Sequence, residues 1–142
     1  MRRVRPVLAA LLMVAASACA PTAPPGPTTP QYPPRSFFVF VPAGSARLSP
    51  EATAVVDDIA DEARRVQATA VGIVGYSSAA GIPARNLRLS EERAAAVEAA
   101  LLARNVPRDI IVRTHQGAVQ DLAGPEVEGQ RVEVVVSREE RR

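Results

Sequence analysis

The chain has 142 residues, 47% of them hydrophobic and only 4% aromatic, which is enough for one modest domain with a core of Val, Ile, Leu and Ala. All 17 basic residues are Arg and the formal charge is +2; without Arg2, Arg3 and Arg5, 14 Arg face 15 acids, a net charge of −1. So weak a field argues against nucleic acid as a partner, and a single cysteine, Cys19, rules out an intramolecular disulfide.

Residues 1–18 read as an export signal. Arg2, Arg3 and Arg5 form a charged start, and the apolar run Val7–Ala18 is too short to span a bilayer. The run ends Ala16-Ser17-Ala18-Cys19, which is similar to the lipobox of bacterial lipoproteins, with Ala16 where Leu is usual. The alternative is a plain secretory signal that ends near a cysteine. The resemblance implies that Cys19 is acylated after cleavage; two or more acyl chains hold a protein firmly to a membrane. Ala20, not Asp, follows the cysteine, which leans towards the outer membrane. Residues 19–35 form a linker. Its stretch 20–35 holds seven prolines, so it reads as a semi-rigid polyproline II spacer, reaching up to roughly 50 Å at ~3.1 Å per residue.

A folded domain is expected over 36–137, with a charged tail at 138–142. Phe37–Val41 reads as a buried strand and Pro42–Ser45 as a turn. Ser49 caps a helix with Pro50 at its first position. Ala52, Val55, Val56, Ile59, Ala60, Ala63 and Val66 fall on one face of it. Its acids and arginines read as a solvated face, not a catalytic dyad. Ala70–Val74 is a second strand, ending at Gly75. A second helix is expected from Glu91 to about Arg104, capped by Ser90. Glu91 and Glu92 then sit in its favourable first turn, Leu89 and Ala94 form a staple, and Arg93 opposes the dipole. Val97 and Leu101 face inward, Asn105 closes the helix, and Pro107 bars its continuation. Ile110–His115 is a third strand, 117–129 a loop with a Gly124-Pro125 turn, and Arg131–Val136 a last strand. The order β-α-β-α-β-β predicts an α+β domain with helices packed on a sheet.

Eight residues between β and α elements carry a family likeness. The spacing of Gly75, Tyr76, Gly81, Asn86, Leu89, Ser90, Arg93 and Ala94 resembles the signature of OmpA-like domains, with Ser77-Ser78 in place of that signature's Thr-Asp. The family's terminal Asn-Arg-Arg-Val-Glu stands here as Gly129-Gln130-Arg131-Val132-Glu133. Its Gly-x-Gly-Glu keeps Gly117 but has Ala118 for the acid. The likeness covers Phe37 to Val136. It implies a two-layer sandwich, a mixed sheet with helices on one side. It also implies a ligand, the diaminopimelate of the peptidoglycan stem peptide, whose free end carries an ammonium and a carboxylate. By the resemblance, Arg93 holds the carboxylate with two parallel hydrogen bonds. The acid facing the ammonium would stand at position 78, where Ser78 brings no charge. Glu91, Glu92 and Asp121 are the candidate substitutes. Ser77, Asn86 and Arg131 complete the candidate set. Each has a structural alternative: Arg93 in an ion pair with a nearby acid, Asn86 shaping its loop, Arg131 capping the sheet edge instead of lining the cleft.

The function these readings support is that of an outer-membrane-anchored lipoprotein. Its domain faces the periplasm and tethers the envelope by non-covalent peptidoglycan binding, weakened by the missing acid at 78. The alternative keeps the fold as an interaction module for an envelope protein, without wall binding. A third reading takes Gly75-Tyr76-Ser77-Ser78-Ala79 as a distant likeness of the Gly-x-Ser-x-Gly nucleophile elbow, with His115 and Asp109 or Asp121 as partners. The second glycine is missing, residues 36–142 make a small domain, and a lone His at a strand end is usually structural. We therefore expect a non-enzyme. No cluster has metal-ligand spacing and no glycine-rich loop matches a nucleotide fold, so no cofactor is expected.

Overall fold

The computed structural model of the chain describes residues 32–78, 81–118 and 130–138. The expected signal segment, Cys19, residues 19–31 of the linker, Asp121, the Gly124-Pro125 turn and residues 139–142 of the tail lie outside the described residues. The elements are β1 (Arg35–Phe40), α1 (Pro50–Arg65), β2 (Ala70–Ser77), α2 (Pro83–Leu102), β3 (Ile111–Ala118) and β4 (Arg131–Ser137), with a 3-10 turn, Arg108–Ile110, leading into β3. The strands form one sheet in the order β1-β4-β2-β3. β4 runs antiparallel to both neighbours, whereas β2 and β3 are parallel. Parallel neighbours need a crossover, which α2 supplies. The sheet is mixed and the class α+β, in the expected β-α-β-α-β-β order.

One face of the sheet carries the core. Alternate residues are buried along β2 (Val71, Ile73) and β4 (Val132, Val134, Val136), the two-residue period of a half-covered sheet. They meet Val56, Ile59 and Ala60 of α1 and Ala94, Val97 and Leu101 of α2 in one apolar cluster. The other face is open. There the structure corrects the expectation of a buried first strand. β1 is an edge strand, and of its residues only Val39 is buried; Phe38 and Phe40 are 44% and 53% exposed. A continuous apolar run at an edge strand still presents alternate side chains to solvent.

α1 begins as its sequence dictates. The Ser49 hydroxyl accepts from Ala52 N at 3.1 Å, and Pro50 occupies the first turn, where a missing N–H costs nothing. The start of α2 is different. The expected cap at Ser90 is wrong: the helix begins eight residues before Glu91, at Pro83, with Ile82 as its cap. The N–H groups of Arg85 and Asn86 both reach Ile82 O at 3.0 Å. Proline at the first position outweighs the Ser-Glu-Glu pattern. Glu91, Glu92 and Arg93 therefore lie mid-helix. The staple of Leu89 on Ala94 does not form at a helix start, and no dipole penalty attaches to Arg93. Asn86 is a helical residue, not a loop residue.

Two further positions explain the packing. Gly75 lies inside β2, which runs on to Ser77 beyond the expected end at Val74. A Cβ on Gly75 would stand 2.0 Å from the Ser90 backbone oxygen, so only glycine lets α2 lie this close to the sheet. At the far end, Asn105 takes a left-handed conformation (φ 64°), and Val106 N donates to Leu101 O at 3.1 Å. That closes the helix as expected.

Candidate functional site

The polar residues near the end of β2 are set by the same alternation that builds the core. Ser77 follows Val71, Ile73 and Gly75 on the helix side and is completely buried. Its hydroxyl has no hydrogen-bond partner among the described residues. Ser78 comes just after the strand and is half-buried. Tyr76 points to the open face. There burial, and then the Glu133 carboxylate, push its phenol above the ordinary range.

Arg93 leaves α2 beneath this strand end and is 1% exposed. Its Nε donates to Ser45 O at 2.8 Å, Nη1 to Tyr76 O at 3.0 Å and Nη2 to Pro42 O at 3.0 Å. One guanidinium thus ties α2, β2 and the β1–α1 connection together. Its rigid fork suits three convergent carbonyls. Burial pushes its pKa below the usual arginine value, but the group stays charged, because arginine is not deprotonated in proteins. None of these three bonds is an ion pair with an acid.

Arg131 begins β4 with its side chain on the open face, away from the helices. Its guanidinium stands 5.0 Å from the Tyr76 ring centroid and 5.7 Å from that of Phe38, within cation–π range. Arg93 and Arg131 therefore serve opposite faces of the sheet. Asn86 is buried at the start of α2.

Asn86 borders a cavity of about 380 Å³. The first turns of α2 contribute Pro83, Ala84, Asn86 and Leu87 to its lining. The end of β3 contributes Gln116, Gly117 and Ala118. The walls are joined at the base by Ser90. Its hydroxyl donates to Leu87 O at 2.7 Å and accepts from Gly117 N at 3.0 Å. A side chain on Gly117 would press on Leu87 at 3.3 Å, in a left-handed backbone (φ 69°) that favours glycine. The cavity sits where parallel β2 and β3 end, at Ser77 and Ala118, which face each other in the register. The crevice beyond the carboxyl ends of parallel strands is the usual ligand position in α/β crossover units. Gln116 reaches it through a bulge. Gly75 pairs with His115 and Tyr76 with Gly117, so Gln116 is the extra residue. Bulges beside sites re-aim side chains in this way.

Of the residues the sequence singles out, Asn86 lines this cavity. Ser77 is buried opposite the lining residue Ala118, Arg93 is buried but is not part of the lining, and Arg131 lies on the other face. Nothing in the sequence pattern singles out Gln116, Leu87 or Pro83 as lining residues. Gly117 and Ala118, noticed only as part of a motif, were the available signal. His115 is exposed on β3 and Ser77 is enclosed; no hydrogen bond joins them. A second cavity, about 410 Å³, lies between β1 and α1 and is lined by Arg35, Phe37, Asp58, Asp61, Glu62 and Arg65. Both of its arginines converge on one acid: Glu62 pairs with Arg65 at 2.7 Å and with Arg35 at 3.2 Å.

Comparison with known proteins agrees with this architecture. The model of the OmpA family matches residues 40–134. Outer membrane protein P5 of Haemophilus influenzae is 36% identical over 81 residues, covering 57% of this chain and 23% of that protein. Outer membrane protein A of Bordetella avium is 31% identical over 88 residues, covering 62% of this chain and 44% of its own. The matched stretch thus spans less than half the length of these relatives. Among solved structures, the OmpA-like domain of FopA1 from Francisella tularensis superposes with a TM-score of 0.68 at 21% identity, covering 74% of this chain and 73% of that one. The peptidoglycan-associated lipoprotein from Burkholderia pseudomallei gives 0.63 at 22% identity, covering 70% and 89%.

Proposed function

This chain belongs to the OmpA family, and from that premise we propose that its domain binds peptidoglycan non-covalently, through the cleft between the first turns of α2 and the end of β3. The observation that carries the reading is the cavity of about 380 Å³ at the carboxyl ends of two parallel strands. Its two walls are linked by Ser90, bonded to Leu87 O and Gly117 N. The likeness to a peptidoglycan-associated lipoprotein supports the same ligand. Diaminopimelate of the stem peptide is the wall group we assign to it. An acylated Cys19 would hold the chain in the outer membrane, with the proline-rich segment as spacer and the domain in the periplasm. No catalysis is part of this function.

The second reading, an envelope-protein interaction module without wall binding, is favoured by two observations. Ser78 offers no charge to an ammonium, and Arg93 already serves three backbone carbonyls. Co-sedimentation of residues 20–142 with purified sacculi separates the two. Recovery in the pellet, competed by soluble wall fragments, supports the tether. A chain that stays in the supernatant while its membrane-extracted form carries a stoichiometric protein partner supports the module.

A further inference from the structure

β1 ends the sheet on the side away from β3. Just past the strand, Val41 N donates to Gln130 O at 2.8 Å, in the register that pairs β1 with β4. Backbone groups alternate in direction along such a pair, so those of Arg35, Phe37 and Val39 turn towards β4. Those of Ser36, Phe38 and Phe40 turn outward, a row of N–H and C=O groups that no described strand pairs. Natural edges are blunted by charge, proline or a bulge. β3, the other edge, has the bulge at Gln116 and a charge at Arg113. From Ser36 to Phe40 β1 has none of these, and its register with β4 runs unbroken.

The two flanks of this edge differ in chemistry. On the open face stand the exposed rings of Phe38 and Phe40. On the helix face lies the cavity of about 410 Å³ between β1 and α1. Asp58, Asp61 and Glu62 line it against Arg35 and Arg65, a net charge of −1. Both arginines are drawn to Glu62. Asp61 pairs with Arg64, outside the lining. Asp58 has no ion pair or hydrogen bond among the described residues.

We propose that β1 accepts an extended segment of a partner protein as a fifth, antiparallel strand. An arginine or lysine of that segment reaches Asp58 and Asp61, and its alternate apolar residues cover Phe38 and Phe40. Side chains of a strand alternate between faces, so one segment meets both flanks. A strand added to β1 lies about 4.8 Å beyond it, and the long stem of a basic residue spans the rest of the way to α1. A second copy of this chain fits less well. Two β1 strands paired about a twofold axis bring two acidic stripes of α1 to the same side of the sheet, where like charges repel. The chain's own proline-rich segment makes a poor strand, because proline has no N–H to donate. The α2–β3 cleft borders the opposite edge of the sheet. The proposal therefore stands whether or not that cleft binds wall.

The test uses the full chain in detergent and a capped, fluorescently labelled peptide, Ser-Val-Thr-Val-Arg-Thr-Ser. Anisotropy gives its affinity, and isotope-labelled protein shows where it binds. The amides of Ser36, Phe38 and Phe40 should shift, and those of Leu87 and Ala118 should not. Asp58→Arg should weaken binding about fivefold or more and tighten a peptide with glutamate in place of the arginine. Asp58→Asn should give a smaller loss of the same sign. N-methylation of the valine before the arginine, whose N–H faces β1, should abolish binding; N-methylation of the arginine itself, whose N–H faces away, should not. No binding at millimolar peptide overturns the proposal, as does binding indifferent to Asp58→Arg and Asp58→Asn or equally sensitive to both N-methyl groups. Dimerisation of the chain alone with shifts at Ser36, Phe38 and Phe40 would assign the edge to a second copy instead. Slow hydrogen exchange of those three amides in the dilute free chain would show that the chain fills its own edge, and would also overturn it. Thermal unfolding of both Asp58 variants, expected to match wild type, excludes a folding artefact.

Discussion

Arg93 is the residue for which sequence and structure suggest different duties, and its removal has a calculable consequence. In Arg93→Ala three carbonyls, of Pro42, Ser45 and Tyr76, lose their donor inside the domain. A buried acceptor left unsatisfied costs roughly 1–3 kcal/mol. Part of that loss is offset, because the variant no longer has to bury a charge, a term of several kcal/mol in its own right. A net destabilisation of about 3 kcal/mol is expected. For a domain of this size each kcal/mol moves Tm by roughly 4–8 °C, so Tm should fall by about 12–24 °C. Arg93→Lys keeps the charge but replaces a planar fork with one ammonium. It should recover only part of the loss. Thermal and urea unfolding followed by circular dichroism measure both. A fall of less than about 4 °C for Arg93→Ala would show that water satisfies the three carbonyls and that the clamp contributes little.

Gly75→Ala puts a methyl group 2.0 Å from Ser90 O and should displace α2 or prevent soluble folding, read by expression and near-ultraviolet dichroism. Ser90→Ala leaves the buried Gly117 N–H without its acceptor and should lower stability by roughly 1–3 kcal/mol in urea unfolding. The Glu62 carboxyl is held below the usual glutamate range, first by its hydrogen bond from Arg65. Because its folded pKa is lowered, its contribution to stability is present above the ordinary value of 4.5 and is lost as pH falls through the depressed one. Glu62→Gln should flatten the stability profile in that acidic window and leave the neutral region's slope unchanged. Cys19→Ser should release the protein from the membrane fraction or block its processing; a variant that still sediments with membranes after high-salt washing would disprove lipid anchoring.

The sequence exposed the elements well and their polar chemistry less well. The apolar face that α1 repeats every turn marks that helix, the capping and closing signals mark the second, and apolar runs bounded by turn residues mark the four strands. The start of α2 was misplaced because local signals competed. Ser90-Glu91-Glu92 has the composition of a helix start, but Pro83 also fits a first position, and the hydroxyl of Ser90 is engaged by Gly117, 27 residues away. No local pattern carries such a pairing. Gly75 looks like a strand end in the sequence, yet its role is to admit a neighbouring helix, which only the tertiary approach reveals. The exposure of Phe38 and Phe40 is invisible in the sequence, because apolar runs do not announce which sheet position they occupy. The candidate site depended on a bulge at Gln116 and on the face assigned to Arg131. A bulge shifts register by one residue, and nothing in the hydrophobic pattern of β3 marks it.

The proposed ligand cleft lies between the first turns of α2 and the end of β3. Chemical-shift mapping of the isotope-labelled chain with soluble wall peptides tests it most directly. The largest perturbations are expected on the amides of Ala84, Leu87, Gln116 and Ala118, with the open-face residues Phe38, Val74 and Arg131 unmoved. Perturbations centred on that open face, or on the cavity between Arg35 and Asp61, with the α2–β3 cleft silent, would contradict it.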